Sequence, residues 1–187
     1  MTNKQEKMIC NSFGISKLKA FQKDVITDLL KGKDVLGLAR TSEGKSICFL
    51  SMITLHPNGL LIGILPTVSL MRDLVQRCED NKIRAGCLYS GNRENTTVIE
   101  RLTHRKLQAL FVAPERLSDP RLWKAIQKNS VHTVVVDEVH CLTEWGNEFR
   151  PMYRNIGKFI KDLPHSPVVA TFSATVMPED IPYITKS

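Results

Sequence analysis

Two runs far apart in the chain carry the residue types that hold a triphosphate and its metal ion. The first is Ala39-Arg40-Thr41-Ser42-Glu43-Gly44-Lys45-Ser46. It fits the phosphate-binding template G-x-x-x-x-G-K-[ST] except at its first position, where alanine stands for glycine. In such a loop, consecutive backbone N–H groups and the N-terminus of the following helix form a nest for phosphate oxygens, here supplied by Thr41, Ser42, Glu43 and Gly44. Lys45 would reach the β- and γ-phosphates, the Ser46 hydroxyl would ligate Mg²⁺, and Gly44 lets the backbone come close. The second run is Asp137-Glu138-Val139-His140. There Asp137 would hold Mg²⁺, partly through water, and Glu138 would polarise the attacking water as general base. His140 would link the nucleotide to other groups. Each run also has an ordinary reading: a chance G-K-S in a turn, or an acidic pair capping the next helix.

The surrounding pattern supplies the context that the chemical reading needs. Apolar, β-rich runs at Asp34–Leu38, Leu60–Leu65, Gly86–Tyr89, Leu107–Val112, Val131–Val136 and Pro167–Phe172 predict six strands. Several are apolar throughout rather than alternating, as strands covered on both faces are. Helices are predicted between them at Leu18–Leu30, Lys45–Leu55, Val68–Arg77, Asn95–Arg105, Asp119–Lys128 and Met152–Lys161. Strands alternating with helices imply an α/β fold, a mainly parallel sheet with helices on both faces. Ligands of such sheets bind at the carboxyl ends of the strands, and both polar runs directly follow predicted strands.

Bulk composition narrows the class. A chain of 187 residues, 42% hydrophobic and 24% charged, suits one globular domain. A formal net charge of +7 favours polyanionic partners without proving one. The five cysteines are scattered, with no C-x-x-C pair, so reduced thiols are expected and no zinc site. The N-terminus lacks a secretory h-region and no stretch is apolar for long enough to span a bilayer, so no membrane partner is expected.

Longer motifs carry a family resemblance from about Phe13 to Thr175. The segment Phe13-Gly14…Leu18-Lys19-Ala20-Phe21-Gln22 resembles the adenine-recognition motif of RecQ DNA helicases in superfamily 2, with lysine where the family has arginine. The loop ARTSEGKS resembles that family's M-P-T-G-G-G-K-S, with Arg40 for proline and with Ser42 and Glu43 for glycines. The runs Ile64-Leu65-Pro66-Thr67-Val68-Ser69-Leu70-Met71-Arg72-Asp73 and Phe111-Val112-Ala113-Pro114-Glu115-Arg116-Leu117 resemble S-P-L-x-S-L-M-x-D and Y-x-x-P-E-R-L. The most discriminating stretch is His140-Cys141-Leu142-Thr143-Glu144-Trp145-Gly146-Asn147-Glu148-Phe149-Arg150-Pro151-Met152-Tyr153. It is similar to the family's aromatic-rich loop, D-E-A-H-C-I-S-x-W-G-H-D-F-R-P-x-Y, which DEAH-box RNA helicases do not carry. Asn147 replaces its histidine. Thr171-Phe172-Ser173-Ala174-Thr175 resembles the S-A-T/T-A-T motif.

The resemblance implies a RecA-like P-loop NTPase domain and an ATP- and Mg²⁺-dependent DNA helicase of 3′-to-5′ polarity. On it, Gln22 and Lys19 would bind adenine, and His140, Ser173 and Thr175 would couple nucleotide state to movement. Ser69, Arg116, Trp145, Phe149 and Arg150 would contact single-stranded or partial-duplex DNA, the aromatics by stacking. Each of these motifs also has a plainer reading: proline punctuation between strand and helix, core aromatics, or strand-end hydroxyls bonding their own backbone. The expected organisation is a tail at 1–12, the first RecA-like domain at 13–178, and at 179–187 the start of a linker to a second RecA-like domain. Such a protein is expected inside the cell with DNA, in a nucleus or a bacterial nucleoid. A nucleic-acid-binding scaffold with a degenerate phosphate loop and a related RNA helicase remain open as alternatives.

Overall fold

The computed structural model describes residues 1–39, 43–137 and 150–173. Six strands form one parallel sheet: β1 (Val35–Leu38), β2 (Leu60–Ile64), β3 (Ala85–Leu88), β4 (Ala109–Val112), β5 (Val131–Val136) and β6 (Val168–Ser173). Their spatial order is β1-β6-β5-β2-β4-β3. The described helices are α1 (Asn3–Phe13), α2 (Ala20–Leu30), α3 (Lys45–Leu55), α4 (Val68–Asp80), α5 (Asn95–Thr103), α6 (Pro120–Ile126) and α7 (Arg150–Lys161), with a short 3₁₀ turn at Pro114–Arg116.

Successive side chains of a strand point to opposite faces, and here each face has its own core. In β2, Leu60, Ile62 and Ile64 join one cluster, with Val98, Leu122 and Phe159 from the helices above it. Leu61, with Leu65 just beyond the strand, joins the other, with Phe49, Met71 and Leu74. The sheet is therefore covered on both sides, which is why its strands read as unbroken apolar runs. Two strand glycines make room for aromatic rings. Gly37 pairs with Phe172 and Gly63 with Phe111, and a Cβ at either glycine would lie 2.7 or 2.6 Å from the ring opposite.

The polar N-terminus, expected as a tail, is instead a capped helix. Thr2 and Gln5 exchange hydrogen bonds in a capping box, and Gly14 closes α1 in the left-handed conformation. Ile9 and Cys10 are buried with Leu18 and Ile26 in a third apolar cluster. Only a few apolar residues mark this face within a polar segment, so the pattern was too sparse to predict a helix. The predicted α5 and α6 end sooner than expected, at Thr103 and Ile126, and the PER segment is a turn rather than simple punctuation. Burial raises the thiols of Cys48 and Cys78 to about 12, in keeping with cysteines that pack as small hydrophobes. No helix among the described residues is long and apolar enough to cross a membrane.

One buried histidine gives the fold a pH dependence. His132 on β5 stacks 5.1 Å from His56, and its Nε2 is buried with no hydrogen-bond partner. Burial first, then the neighbouring His56, lower its pKa from 6.5 to about 4. The unfolded chain therefore takes up this proton at a higher pH than the folded chain does. Stability contributed by neutral His132 is complete above pH 6.5 and is lost as pH falls towards 4, by up to about 3 kcal/mol. Thermal unfolding followed across that window should show a shallower pH slope for His132→Gln than for the wild type. Equal slopes would exclude His132 as the source.

Candidate functional site

All six strands run the same way, so their carboxyl ends share one rim, and the two predicted runs meet there. The phosphate loop leaves β1, which is held to β6 up to its last residue: Leu38 pairs with Ser173, and the Ala39 N–H donates to the Ser173 carbonyl at 3.1 Å. Asp137 leaves β5, its N–H donating to Ile64 O at 3.2 Å. Helix α3 then crosses the sheet to reach β2, packing on β2 and β5. Its first residue is thereby brought to the end of β5.

The result is a contact between residues ninety-two positions apart in the chain. Lys45 Nζ lies 3.2 Å from Asp137 Oδ1, and both side chains are almost fully buried, at 4% and 7% exposure. Two buried charges are tolerated only when paired, so the sheet holds an ammonium and a carboxylate together at its rim. Ser46 follows at the second position of α3. A hydroxyl and a carboxylate are hard oxygen ligands of the kind Mg²⁺ takes, usually alongside substrate phosphates and water. The donor chemistry at Ser46 and Asp137 therefore fits the metal.

Gly44 is the N-cap of α3, with φ of +80°, a conformation that strains any residue with a Cβ. A Cβ there would also lie 2.7 Å from Gln22 Nε2. Gln22 is buried, and both ends of its amide are used within the protein. Its Nε2 donates to Gly44 O at 3.2 Å and its Oε1 accepts from Lys19 N–H at 2.9 Å. The residue expected to read adenine thus ties α2 to the phosphate loop in this structure. The exposed side chains of Lys19 and Glu43 face solvent.

Other predicted residues are distributed as follows. Ser173 is buried at the end of β6, beside the strand that feeds the phosphate loop. Ser69 is exposed on the first turn of α4. The Arg116 guanidinium is committed to Asp119, the N-cap of α6, at 2.6 Å, so the structure gives it an internal partner where a DNA contact was expected. Thr41, Ser42, Glu138, His140, Trp145, Phe149 and Thr175 lie outside the described residues, as does the side chain of Arg150. Sequence reasoning missed two residues. Arg77 on α4 donates to the Ser46 hydroxyl, and Tyr89 receives both Nε and Nη2 of Arg72, at 3.1 and 2.7 Å. No spacing rule connects either pair, because each contact joins separate elements.

A parallel sheet in this order, with a glycine-capped helix presenting lysine and serine opposite an aspartate, defines a RecA-like P-loop nucleotide-binding domain. A model of the DEAD/DEAH box helicase family matches residues 19–182, and the chain belongs to that family. It is 34% identical over 176 residues to the probable ATP-dependent DNA helicase RecS of Bacillus subtilis, covering 92% of this chain and 35% of that protein. It is 35% identical over 160 residues to the ATP-dependent DNA helicase RecQ of Pasteurella multocida, covering 84% of this chain and 25% of that protein. The chain thus spans about a third or less of these relatives. A crystal structure of a hypothetical ATP-dependent RNA helicase from Sulfolobus tokodaii shares the fold, with a TM-score of 0.75 at 21% identity over 99% of this chain and 54% of that one.

Proposed function

We propose that this domain is the ATP-binding half of a DNA motor of the RecQ type, which draws on ATP hydrolysis to move 3′-to-5′ along single-stranded DNA. The observation that carries this reading is the buried Lys45–Asp137 pair beside Ser46. ATP supplies the phosphoryl group, and Mg²⁺ would be held by Ser46 and, partly through water, by Asp137. Lys45 exchanges its carboxylate partner for the phosphates, and the nest of Thr41, Ser42, Glu43 and Gly44 orients them. Glu138, next after Asp137, polarises the attacking water. Lys19, and Gln22 through the second N–H and second lone pair of its amide, serve the adenine side, where the Gln22–Gly44 hydrogen bond joins base recognition to phosphate recognition. His140, Ser173 and Thr175 relay nucleotide state to a second RecA-like domain.

The DNA side rests on residue chemistry. Trp145 and Phe149 offer faces for unpaired bases, while Ser69, Arg150 and Arg116 contact backbone or bases, Arg116 only after leaving Asp119. Such a protein works wherever its DNA lies, in a nucleus or a nucleoid. The alternative of a scaffold with weak turnover draws on Ser42 and Glu43 in the phosphate loop. An RNA-directed motor is disfavoured by the aromatic run at 145–149.

The test is direct. Titration of Mg·ATP into this chain should give saturable binding that Lys45→Ala removes. In the full-length protein, single-stranded DNA should stimulate ATP turnover, and Trp145→Ala should abolish the stimulation. No binding at millimolar Mg·ATP would end the nucleotide reading, and stimulation by RNA but not DNA would end the DNA reading.

A further inference from the structure

Lys45 and Ser46 are neighbours in the loop but have partners on different elements. Lys45 pairs inward with Asp137, whereas the Ser46 hydroxyl accepts a hydrogen bond from Nη1 of Arg77, thirty-one residues away. Arg77 lies in the last turn of α4. The buried face of that helix is formed by Met71, Leu74 and Cys78, and Arg77 stands outside it, exposed. Its main-chain carbonyl is occupied by Asn81 Nδ2 at 2.7 Å, which fixes the end of the helix. The Arg77 side chain therefore reaches the Ser46 hydroxyl and takes no part in the core.

A guanidinium is permanently charged and has donors only, so the contact uses a lone pair of the Ser46 oxygen. The oxygen keeps a second lone pair, but a metal ion bound there would sit beside the guanidinium, and two cations that close repel each other. We propose that Arg77 occupies the metal-ligating hydroxyl of Ser46 while the site holds no nucleotide, and that divalent metal arriving with nucleotide must displace it. Arg77 is then a positioning residue that sets how much Mg²⁺ the site requires. The inference rests on the nucleotide reading above.

The experiment titrates a fluorescent ADP analogue into the chain in EDTA and at graded Mg²⁺, for wild type, Arg77→Ala, Arg77→Lys and Lys45→Ala. Arg77→Ala should lower the Mg²⁺ concentration for half-maximal enhancement of binding by about three- to tenfold, the range of one net hydrogen bond. Its affinity in EDTA should change less than twofold, and Arg77→Lys should fall between it and wild type. A general structural defect would weaken binding under both conditions without moving the Mg²⁺ midpoint. Wild-type binding lost in Lys45→Ala, together with a midpoint that Arg77→Ala leaves unmoved or raises, would overturn this inference alone. No binding of the analogue by wild type would overturn the nucleotide reading and this inference with it.

Discussion

Replacing Lys45 with alanine is expected to lower ATP turnover by about 10²–10³-fold, the scale seen when one preorganised stabilising donor is removed from developing charge. The effect on the fold is separable. In the folded chain the Asp137 carboxylate is buried at 7% exposure and would lose the ammonium 3.2 Å away. Removing one member of a buried ion pair costs about 3–5 kcal/mol. Urea unfolding should therefore report a clear loss of stability for Lys45→Ala. The double variant Lys45→Ala/Asp137→Asn should regain part of it, because a neutral amide tolerates burial better than a carboxylate. Turnover should not return in the double variant. Recovery of turnover would mean that Lys45 acts only by neutralising Asp137 and makes no contact with phosphate.

The second large effect is expected at Glu138. Glu138→Gln keeps the shape and the hydrogen-bonding reach of the side chain but cannot accept a proton. If this residue is the general base, turnover should fall by about 10²–10⁴-fold while nucleotide affinity changes little. Single-turnover hydrolysis and equilibrium nucleotide binding, measured side by side in the full-length protein, separate the two quantities. Unchanged hydrolysis would move the base to another residue. A parallel loss of affinity would instead place Glu138 among the groups that hold the nucleotide or its metal. The contrast with Lys45 is informative, since Lys45 should affect binding and turnover together.

Much of the architecture was legible because it rests on short-range patterns. Six apolar runs became six strands, and the predicted Lys45–Leu55 and Val131–Val136 elements have the observed bounds. Covering both faces of a parallel sheet forces such runs to be apolar throughout, and that demand is written locally. The phosphate loop was equally visible, since Gly44, Lys45 and Ser46 act through adjacent backbone and side chains. Helix α1 was not visible, because its burial depends on Leu18 and Ile26 of other segments. Nor could any periodicity show that Gly37 and Gly63 lie opposite Phe172 and Phe111, since strand register is a property of the assembled sheet.

The sequence alone determined which residues can do chemistry: an amide-lined loop with lysine and serine, and a carboxylate pair after an apolar strand. Only the tertiary structure decided which of them meet. It brought Lys45 to Asp137, turned Gln22 onto Gly44, engaged Arg116 with Asp119 and set Arg77 against Ser46. The physical reason is one of range. Residue type and local spacing specify strands, caps and loops within a few positions of one another. The order β1-β6-β5-β2 places the ends of β1 and β5 on one rim only after the apolar faces of distant segments have packed together.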